Sequence, residues 1–307
     1  PWPWSADKVY KEYNPSVLFM ACGYHFEVEC GALDISQIDD PNSIGQKLYS
    51  SFVIVDEDGE KYIQRYTGDN EMFGHATGFF IGKEGNIVTN LHVARPWLAE
   101  TMSTSTGIKT IISVAEEHYR NKLSVLIELG YDNLIQYLPQ LKVKGVLDYC
   151  IVIPNGNYCD LSNAYRCSEV IVSDNEEVDL AIMRLQQTYL PVGATYVPLN
   201  MITDKQPKLG EQVYTSGFPG AILEITDLDN KQVQVNSVSG VITKNDDTYS
   251  FITTAPIASG ASGSPVFNKY GKLVGVMNAQ IDGKQNYNMG IYSCYLLELI
   301  EKAKITK

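Results

Sequence analysis

The sequence lacks any apolar run near the roughly eighteen residues that a membrane-spanning helix needs, so it predicts no transmembrane segment in this chain. It is also poor in positive charge. Its 24 Lys and Arg residues are outnumbered by 36 Asp and Glu residues, which gives a net charge of −12. A chain of this sign disfavours nucleic acid and anionic membrane surfaces as partners.

Spacings typical of metal sites are missing as well. The four histidines form no H-E-x-x-H motif, and no two of the six cysteines stand in a C-x₂-C pair. We therefore predict neither a metal nor a cofactor. The even cysteine count permits up to three disulfides, and local bridges and buried free thiols both remain open. The local bridges would join Cys22 to Cys30, and two members of the group Cys150, Cys159 and Cys167.

Short strand-like runs occupy much of the remaining sequence. Tyrosine, with 20 residues, favours strands together with Val, Ile and Thr. Residues 15–21 and 149–153 predict buried strands, and residues 51–55 and 62–66 predict a hairpin. Short strands at regular spacing, separated by turns, are typical of barrels and sandwiches rather than of α/β units.

Helical spacing is seen in three places. Residues 4–13 predict a short helix or arm, and residues 294–304 predict a C-terminal helix. Residues 98–142 combine an apolar face with a charged one, and they predict a helical hairpin, ending at about Leu141, inserted into a β protein. His118 lies within this insertion, and we assign no chemistry to it.

One stretch, residues 256–266, is small, glycine-rich and nearly free of charge. Glycines that flank a serine let backbone N–H groups converge on one point. A nucleophile beside an oxyanion site requires that geometry. Taken alone, however, the stretch fits an ordinary hairpin turn better.

Two residues upstream change this interpretation. His92 follows an apolar strand, and Asp179 lies inside another, where a carboxylate is costly unless it is paired. A serine hydroxyl needs a base, imidazole titrates near neutrality, and a carboxylate fixes the imidazole tautomer. His92, Asp179 and Ser262 are therefore a candidate set for nucleophilic catalysis, in the chain order His, Asp, Ser.

Five sequence blocks in the same order resemble those of the trypsin-like (chymotrypsin-fold) serine proteases of the bacterial Deg/HtrA type. The blocks are residues 77–93, 178–182, 217–220, 239–242 and 260–266. The resemblance implies an all-β, mainly antiparallel fold. It has two six-stranded β-barrels with the active site between them, a helical insertion in the first barrel and a C-terminal helix.

The expected division follows from this resemblance. Residues 1–14 form an N-terminal arm or helix, residues 15–188 the first barrel with its insertion at about 98–142, and residues 189–307 the second barrel with the final helix. Because the chain stops at Lys307, we expect it to lack the PDZ domain usual in Deg/HtrA proteases. We do not extend the trimer formation of Deg/HtrA proteases to this chain, and the sequence leaves its oligomeric state open.

The resemblance also implies a role for each candidate residue in hydrolysis of a protein or peptide substrate. Ser262 is the nucleophile, His92 the base and then the acid, and Asp179 the residue that orients His92. The backbone N–H groups of Gly260 and Ser262 form the oxyanion hole. Ser264 is a rival nucleophile that ranks lower, because the motif places the attacking serine directly before the middle glycine.

Substrate preference is expected to depend on a pocket around Pro256. This residue stands six positions before Ser262 and has no charge, so a preference for Arg or Lys is not expected. The predicted pocket favours a small or medium apolar side chain before the scissile bond. Its other candidate residues are Ile257, Asn278, Ala279, Met289 and Gly290.

A second reading keeps the protease fold without the activity. In it the chain is a latent or inactive binding or scaffold module, and the 98–142 insertion shields the cleft or recruits a partner. The family resemblance and the six cysteines predict a location in the bacterial cell envelope (periplasm) or outside the cell.

Overall fold

The computed structural model of the protein describes residues 2–30, 62–66, 72–98, 128, 141–158, 164–220, 226–227, 232–280 and 288–306. Helices in these ranges include α1 (Ala6–Tyr13), α2 (Leu91–Ala94) and α3 (Ser293–Lys302), with 3₁₀ turns at Asn14–Ser16 and Leu199–Met201. The strands are β1 (Val17–Cys30), β2 (Tyr62–Tyr66), β3 (Met72–Ile81), β4 (Asn86–Thr89), β5 (Leu141–Pro154), β6 (Tyr165–Val172), β7 (Ala181–Leu185), β8 (Gln212–Gly217), β9 (Thr226–Asp227), β10 (Gln232–Val233), β11 (Asn236–Lys244), β12 (Ser250–Thr253), β13 (Pro265–Asn268), β14 (Leu273–Gln280) and β15 (Asn288–Tyr292).

The first half of the chain forms a closed ring of strands. Its sheet has the order β2-β1-β3-β4-β7-β6-β5, and a further pairing of β1 with β5 closes six of these strands into a barrel. The hairpin of β3 and β4 turns between Gly82 and Gly85, which both have positive φ. All four residues of β4 are buried, so this strand is part of the barrel core rather than its surface.

The second half forms another closed barrel, with the strand order β11-β12-β15-β14-β13-β8. Every pairing in it is antiparallel. The ring of Phe251 fills its interior above two glycines, because a Cβ placed on Gly275 or Gly290 would lie 2.4 Å from a ring carbon. The expected fold of two six-stranded antiparallel barrels with a C-terminal helix is therefore confirmed.

The described residues divide into two compact units. One unit contains residues 1–23, 73–96 and 149–307, and therefore both the site candidates and most of the two barrels. The other contains residues 24–72 and 97–148, where the outer part of β1 pairs antiparallel with β2. Within this second unit the imidazole Nδ1 of His25 lies 2.9 Å from a carboxylate oxygen of Asp148.

Three local predictions need correction or lie outside the described ranges. Strand β5 begins at Leu141 rather than at residue 149, so the end predicted for the helical insertion is wrong. Most of the predicted insertion at 98–142, and the strand predicted at 51–55, lie outside the described residues. β2 pairs with β1, a partner that the hairpin prediction did not include.

Asp179 lies just before β7, not inside a strand as predicted. The N–H of Leu180 donates to the carbonyl of Val178 at 2.8 Å, which turns the backbone away from the ladder before the strand begins at Ala181. The apolar neighbours of Asp179 are buried, and this burial produced the strand-like pattern in the sequence. The carboxylate is thereby free to face other elements.

The N-terminal helix α1 packs on the second barrel. Ser5 caps it by accepting a hydrogen bond from the N–H of Lys8 at 3.2 Å. Near its end, the ring of Tyr13 stacks on Phe267 with centroids 4.0 Å apart, and its hydroxyl donates to the carbonyl of Gly271 at 2.8 Å. These contacts attach residues before the first barrel to the β13–β14 turn of the second.

We expect Tyr13 to make stability fall at high pH. Burial, with a smaller contribution from the charge of Glu12, raises the pKa of Tyr13 to about 12 from an ordinary value of 10.0. The folded state holds this proton more tightly than the unfolded state, so the contribution is complete below pH 10 and is lost as the pH rises toward 12. Urea unfolding should therefore show the stability advantage of the parent over Tyr13→Phe shrinking between pH 8 and pH 11. An advantage of the same size at both pH values would contradict this prediction.

The described cysteine thiols are all free. They are Cys22, Cys150, Cys167 and Cys294. Of the two alternatives, free thiols apply to these four residues, and the local bridges that would use Cys22, Cys150 or Cys167 are not formed. Hydrogen bonds with Cys167 and Cys22, together with burial, raise the pKa of the Cys150 thiol. In the described ranges, no helix has the length and apolarity required to cross a membrane.

Candidate active site

The loop that carries Ser262 has a backbone shape that depends on glycine. Gly260 and Gly263 have φ values of +94° and +90°, a region that side chains disfavour. Between them, the N–H of Ala261 donates to the carbonyl of Ala258 at 3.0 Å, and the chain turns again at Ser264. Ser262 lies at the bend between the two glycines, and its side chain is only partly buried.

Ser264, the rival nucleophile, is held inside the loop. It is 1% exposed, and its hydroxyl donates to the carbonyl of Ala261 at 2.7 Å. A Cβ on Gly217 would lie 2.0 Å from this hydroxyl oxygen, so the serine is packed tightly against β8. The geometry gives Ser264 a role in shaping the turn, because its hydroxyl proton is bonded to a carbonyl of the same loop.

His92 and Asp179 are in direct contact. The imidazole Nδ1 lies 2.6 Å from Oδ2 of Asp179, and the backbone N–H of His92 donates to Oδ1 at 2.9 Å. The side chain of Asn90 donates to the backbone carbonyl of Asp179 at 2.9 Å. Both carboxylate oxygens thus face the first turn of α2, and Nε2 is left on the side of the ring away from the carboxylate. A neutral imidazole bound in this way carries its proton on Nδ1 and has Nε2 ready to accept another.

Backbone contacts bring Ser262 to the same end of the first barrel. The carbonyl of Ser262 accepts a hydrogen bond from the N–H of Thr77 at 2.9 Å, and the hydroxyl of Thr89 donates to the carbonyl of Thr77 at 2.8 Å. Thr89 ends β4, three residues before His92. The Ser262 loop and the His92–Asp179 pair are therefore anchored to neighbouring points of one strand pair.

The Ser262 hydroxyl itself points to the second barrel. It donates to the carbonyl of Asn278 at 2.6 Å, and among the described residues it makes no hydrogen bond to His92. The register of β14 and β15 shifts between Met277 and Ala279, which leaves Asn278 without a partner in the ladder and its carbonyl available. The structure thus joins two of the three predicted catalytic side chains and holds the third in another rotamer.

Two backbone N–H groups in the Ser262 loop have no hydrogen-bond acceptor among the described residues. The N–H of Gly220 donates to the carbonyl of Ser259 at 2.7 Å. Because the peptide is trans, this bond turns the N–H of Gly260 to the opposite side. Within the described ranges, the N–H groups of Gly260 and Ser262 donate to no protein acceptor. A negatively charged oxygen is the kind of group that two such donors bind.

Two of the residues predicted for the substrate pocket line one cavity. Pro256 and Ile257 line a small cavity that reaches the loop at Ala261, and none of the described residues that line it is charged. The other lining residues are Thr215, Gly217, Pro219, Asn236, Val238 and Ser264.

The remaining pocket candidates lie on other parts of the barrel wall. Asn278 is bound by Ser262, and Ala279 pairs with Met289 across β14 and β15. Gly290 faces the barrel interior, where the ring of Phe251 occupies the space that a side chain would need. The substrate pocket built from these residues therefore stays a prediction.

Thr77, Asn90 and Gly220 support this site, and sequence reasoning gave them no role. One signal was available for Thr77, because a hydroxyl within the apolar run of β3 must find partners when it is buried. Asn90 and Gly220 stand in turns whose hydrogen bonds join distant parts of the chain, so their spacing carried no information. Among the described residues, no cluster of three or more His, Cys, Asp or Glu side chains could hold a metal ion.

The sequence and the fold were compared with known proteins. No protein with curated annotation matches the sequence. Among solved structures, the serine endoprotease from Yersinia pestis is 15% identical with a TM-score of 0.49, and the match covers 98% of this chain and 67% of that one. The active form of the Rv3671c protease from M. tuberculosis is 13% identical with a TM-score of 0.49, and the match covers 100% of this chain and 90% of that one.

The family assignment rests on a family model instead. The model described as "Trypsin-like peptidase domain" matches residues 76–276. This range contains His92, Asp179 and Ser262, and it spans more than half of the sequence. The resemblance to trypsin-like proteases is thereby confirmed, and the chain belongs to the trypsin-like peptidase domain family.

Proposed function

We propose that the protein is a serine endopeptidase in which His92, Asp179 and Ser262 act as a catalytic triad. The observation that carries this proposal is the paired hydrogen bonding of His92 to both carboxylate oxygens of Asp179, at 2.6 and 2.9 Å. That contact fixes the tautomer in which Nε2 accepts a proton. The Ser262 loop, with its two uncommitted N–H donors, is tied to the strand pair that ends beside His92.

The proposed reaction follows from these positions. His92 Nε2 takes the Ser262 proton as Oγ attacks the substrate carbonyl carbon. The carbonyl oxygen becomes negative and is bound by the N–H groups of Gly260 and Ser262. Collapse breaks the C–N bond, the leaving amine takes the proton from His92, and an acyl-enzyme remains. Water, deprotonated by His92, then attacks the ester carbonyl carbon. The bond from this carbon to Oγ breaks, Oγ takes the proton back from His92, and the product leaves as a carboxylic acid.

The Ser262 hydroxyl must first leave the Asn278 carbonyl. One neutral hydrogen bond contributes about 0.5–1.5 kcal/mol net. A rotation that costs this much slows the reaction by about tenfold at most. Catalysis by a complete triad and oxyanion hole amounts to many orders of magnitude, so the resting rotamer is compatible with an active enzyme.

Substrate preference is proposed from the pocket beside the loop. Pro256, Ile257 and Val238 give it apolar walls, and none of its described lining residues is charged. We propose a small or medium apolar residue before the scissile bond, because these walls offer no counter-charge to Arg or Lys. We retain the cell envelope or the cell exterior as the proposed compartment, on the family resemblance.

A latent or scaffold role is the second candidate, and the bond from Ser262 to Asn278 is the observation that favours it. Active-site labelling with a fluorophosphonate separates the two, because the reagent modifies only an activated serine. We expect the folded parent to be labelled at Ser262, Ser262→Ala to be unlabelled, and Ser16→Ala, a control at a buried serine outside the loop, to keep its label. A folded parent that takes no label would overturn the endopeptidase proposal in favour of the latent one.

A further inference from the structure

Thr77 of β3 is completely buried, and all of its polar groups are bonded. Its hydroxyl donates to the carbonyl of Gly260 at 2.8 Å and accepts from the N–H of Phe218 at 2.9 Å. Its backbone N–H donates to the carbonyl of Ser262, and its carbonyl accepts from Thr89. One residue of the first barrel therefore holds two carbonyls of the Ser262 loop and one turn of the second barrel.

These contacts fix the two peptide groups that follow the oxyanion donors. The hydroxyl of Thr77 sets the peptide that follows Gly260, and its N–H sets the peptide that follows Ser262. The peptide before Gly260 is set from the other side by Gly220. Within the loop, the N–H of Ala261 donates to the carbonyl of Ala258, and the carbonyl of Ala261 accepts from Ser264. Thr77 adds to these local bonds a contact from outside the loop, which bends at two positive-φ glycines.

The approach of Thr77 to the loop is close and leaves no spare space. A Cβ on Gly263 would lie 1.9 Å from the carbonyl oxygen of Thr77, and a Cβ on Gly217 would lie 3.0 Å from its hydroxyl oxygen. Both neighbours are therefore required to be small for this contact to form. The backbone and the side chain of Thr77 together hold the loop in one position.

From this geometry we propose that the Thr77 hydroxyl is a positioning residue for the oxyanion hole, acting through the Gly260 carbonyl. The inference rests on the endopeptidase function proposed above. Thr77 touches neither substrate nor reacting atoms. The Thr77 hydroxyl holds the peptide after Gly260, and Gly220 holds the peptide that carries the Gly260 N–H, so Thr77 acts on this donor by fixing the backbone of Gly260 between the two. Oxyanion binding needs donors within about 2.7–3.1 Å of the developing charge.

The test compares three variants with the parent on a peptide substrate, with kcat taken per active site titrated by fluorophosphonate. Thr77→Val keeps the shape of the side chain and removes the hydroxyl. Thr77→Ser keeps the hydroxyl and removes a methyl group. Ser16→Ala is the matched control, since Ser16 is also fully buried and its hydroxyl also donates to a backbone carbonyl, that of Tyr13.

We expect Thr77→Val to lower kcat by about 10²-fold with KM within about threefold of the parent, since the loss is confined to the transition state. Thr77→Ser should recover most of the rate. Ser16→Ala should lower thermal stability while leaving kcat unchanged. If Thr77→Val fails to fold, Thr77→Ala, which leaves room for a water molecule at the Gly260 carbonyl, is compared with Thr77→Ser in the same way.

The outcomes separate this inference from the function on which it rests. A parent without label or hydrolysis removes the endopeptidase proposal and the positioning role with it. An active parent with equal kcat in Thr77→Val (or Thr77→Ala) and Thr77→Ser overturns the positioning role alone. An equal fall in kcat for Ser16→Ala would assign the effect to general stability and would also overturn it.

Discussion

His92→Ala is expected to lower kcat by roughly 10⁶-fold, the scale seen when the corresponding residue is removed from subtilisin. The reason is that a serine hydroxyl remains protonated at neutral pH unless a base takes its proton. His92 is oriented for this by two hydrogen bonds to one carboxylate, and Nε2 remains available. The measurement is steady-state hydrolysis of a peptide substrate, with folding checked by urea unfolding.

Further variants make the His92 result specific. His25 is the matched control, because its Nδ1 also pairs with a carboxylate, that of Asp148, at 2.9 Å. His25→Ala should lower stability and leave kcat per labelled site nearly unchanged. Since triad members act as one unit, the double variant His92→Ala/Ser262→Ala should be no slower than either single variant. A loss of only about tenfold in His92→Ala would mean that the base has been misassigned.

Asp179→Asn is expected to lower kcat by about 10⁴-fold, the size of loss that replacing the aspartate by asparagine causes in a Ser-His-Asp triad. The asparagine keeps an acceptor for the backbone N–H of His92, so α2 should keep its place. Its amide, however, donates toward Nδ1, where Asp179 accepts at 2.6 Å. The imidazole would then carry its proton on Nε2 and could not accept one from Ser262.

The control for Asp179→Asn is an acidic residue on the same loop. Asp174 is exposed and pairs with Lys302, so Asp174→Asn changes the same charge without touching His92. It should leave kcat within about twofold, because exposed ion pairs contribute little. Equal activity of the two asparagine variants would show that Asp179 does not orient the base.

The fold was largely predictable because strand-forming runs and turn residues alternate along most of the chain. The elements that were predicted poorly are those whose conformation is set by distant contacts. Leu141 has helical spacing with its neighbours, yet it begins β5, whose partner strands are far away in sequence. Asp179 has buried apolar neighbours that mimic a strand, but a tight turn and a bond from Asn90 hold it outside the ladder.

In the candidate site, too, the residue types were predictable, and the features set by distant contacts were not. His92, Asp179 and Ser262 could be named from residue type and order, because nucleophilic chemistry requires those groups. The direction of the Ser262 hydroxyl could not be predicted, since it depends on a register shift in β14 that exposes one carbonyl. Likewise, Gly290 stood in the predicted pocket but faces Phe251, because which wall a glycine faces depends on the barrel's closure.

The loop of the second barrel that carries Ser262 is held by a residue of the first barrel, Thr77. The second barrel contains the serine, both glycines of its loop and the apolar cavity, whereas the hydroxyl that seats the loop comes from β3. Cutting the polypeptide in the connection from β7 to β8 would separate these parts into two fragments. If the proposed function holds, neither fragment would form an ordered oxyanion site by itself, and hydrolysis should return only when the fragments reassociate. Peptidase activity would then report docking between the two halves.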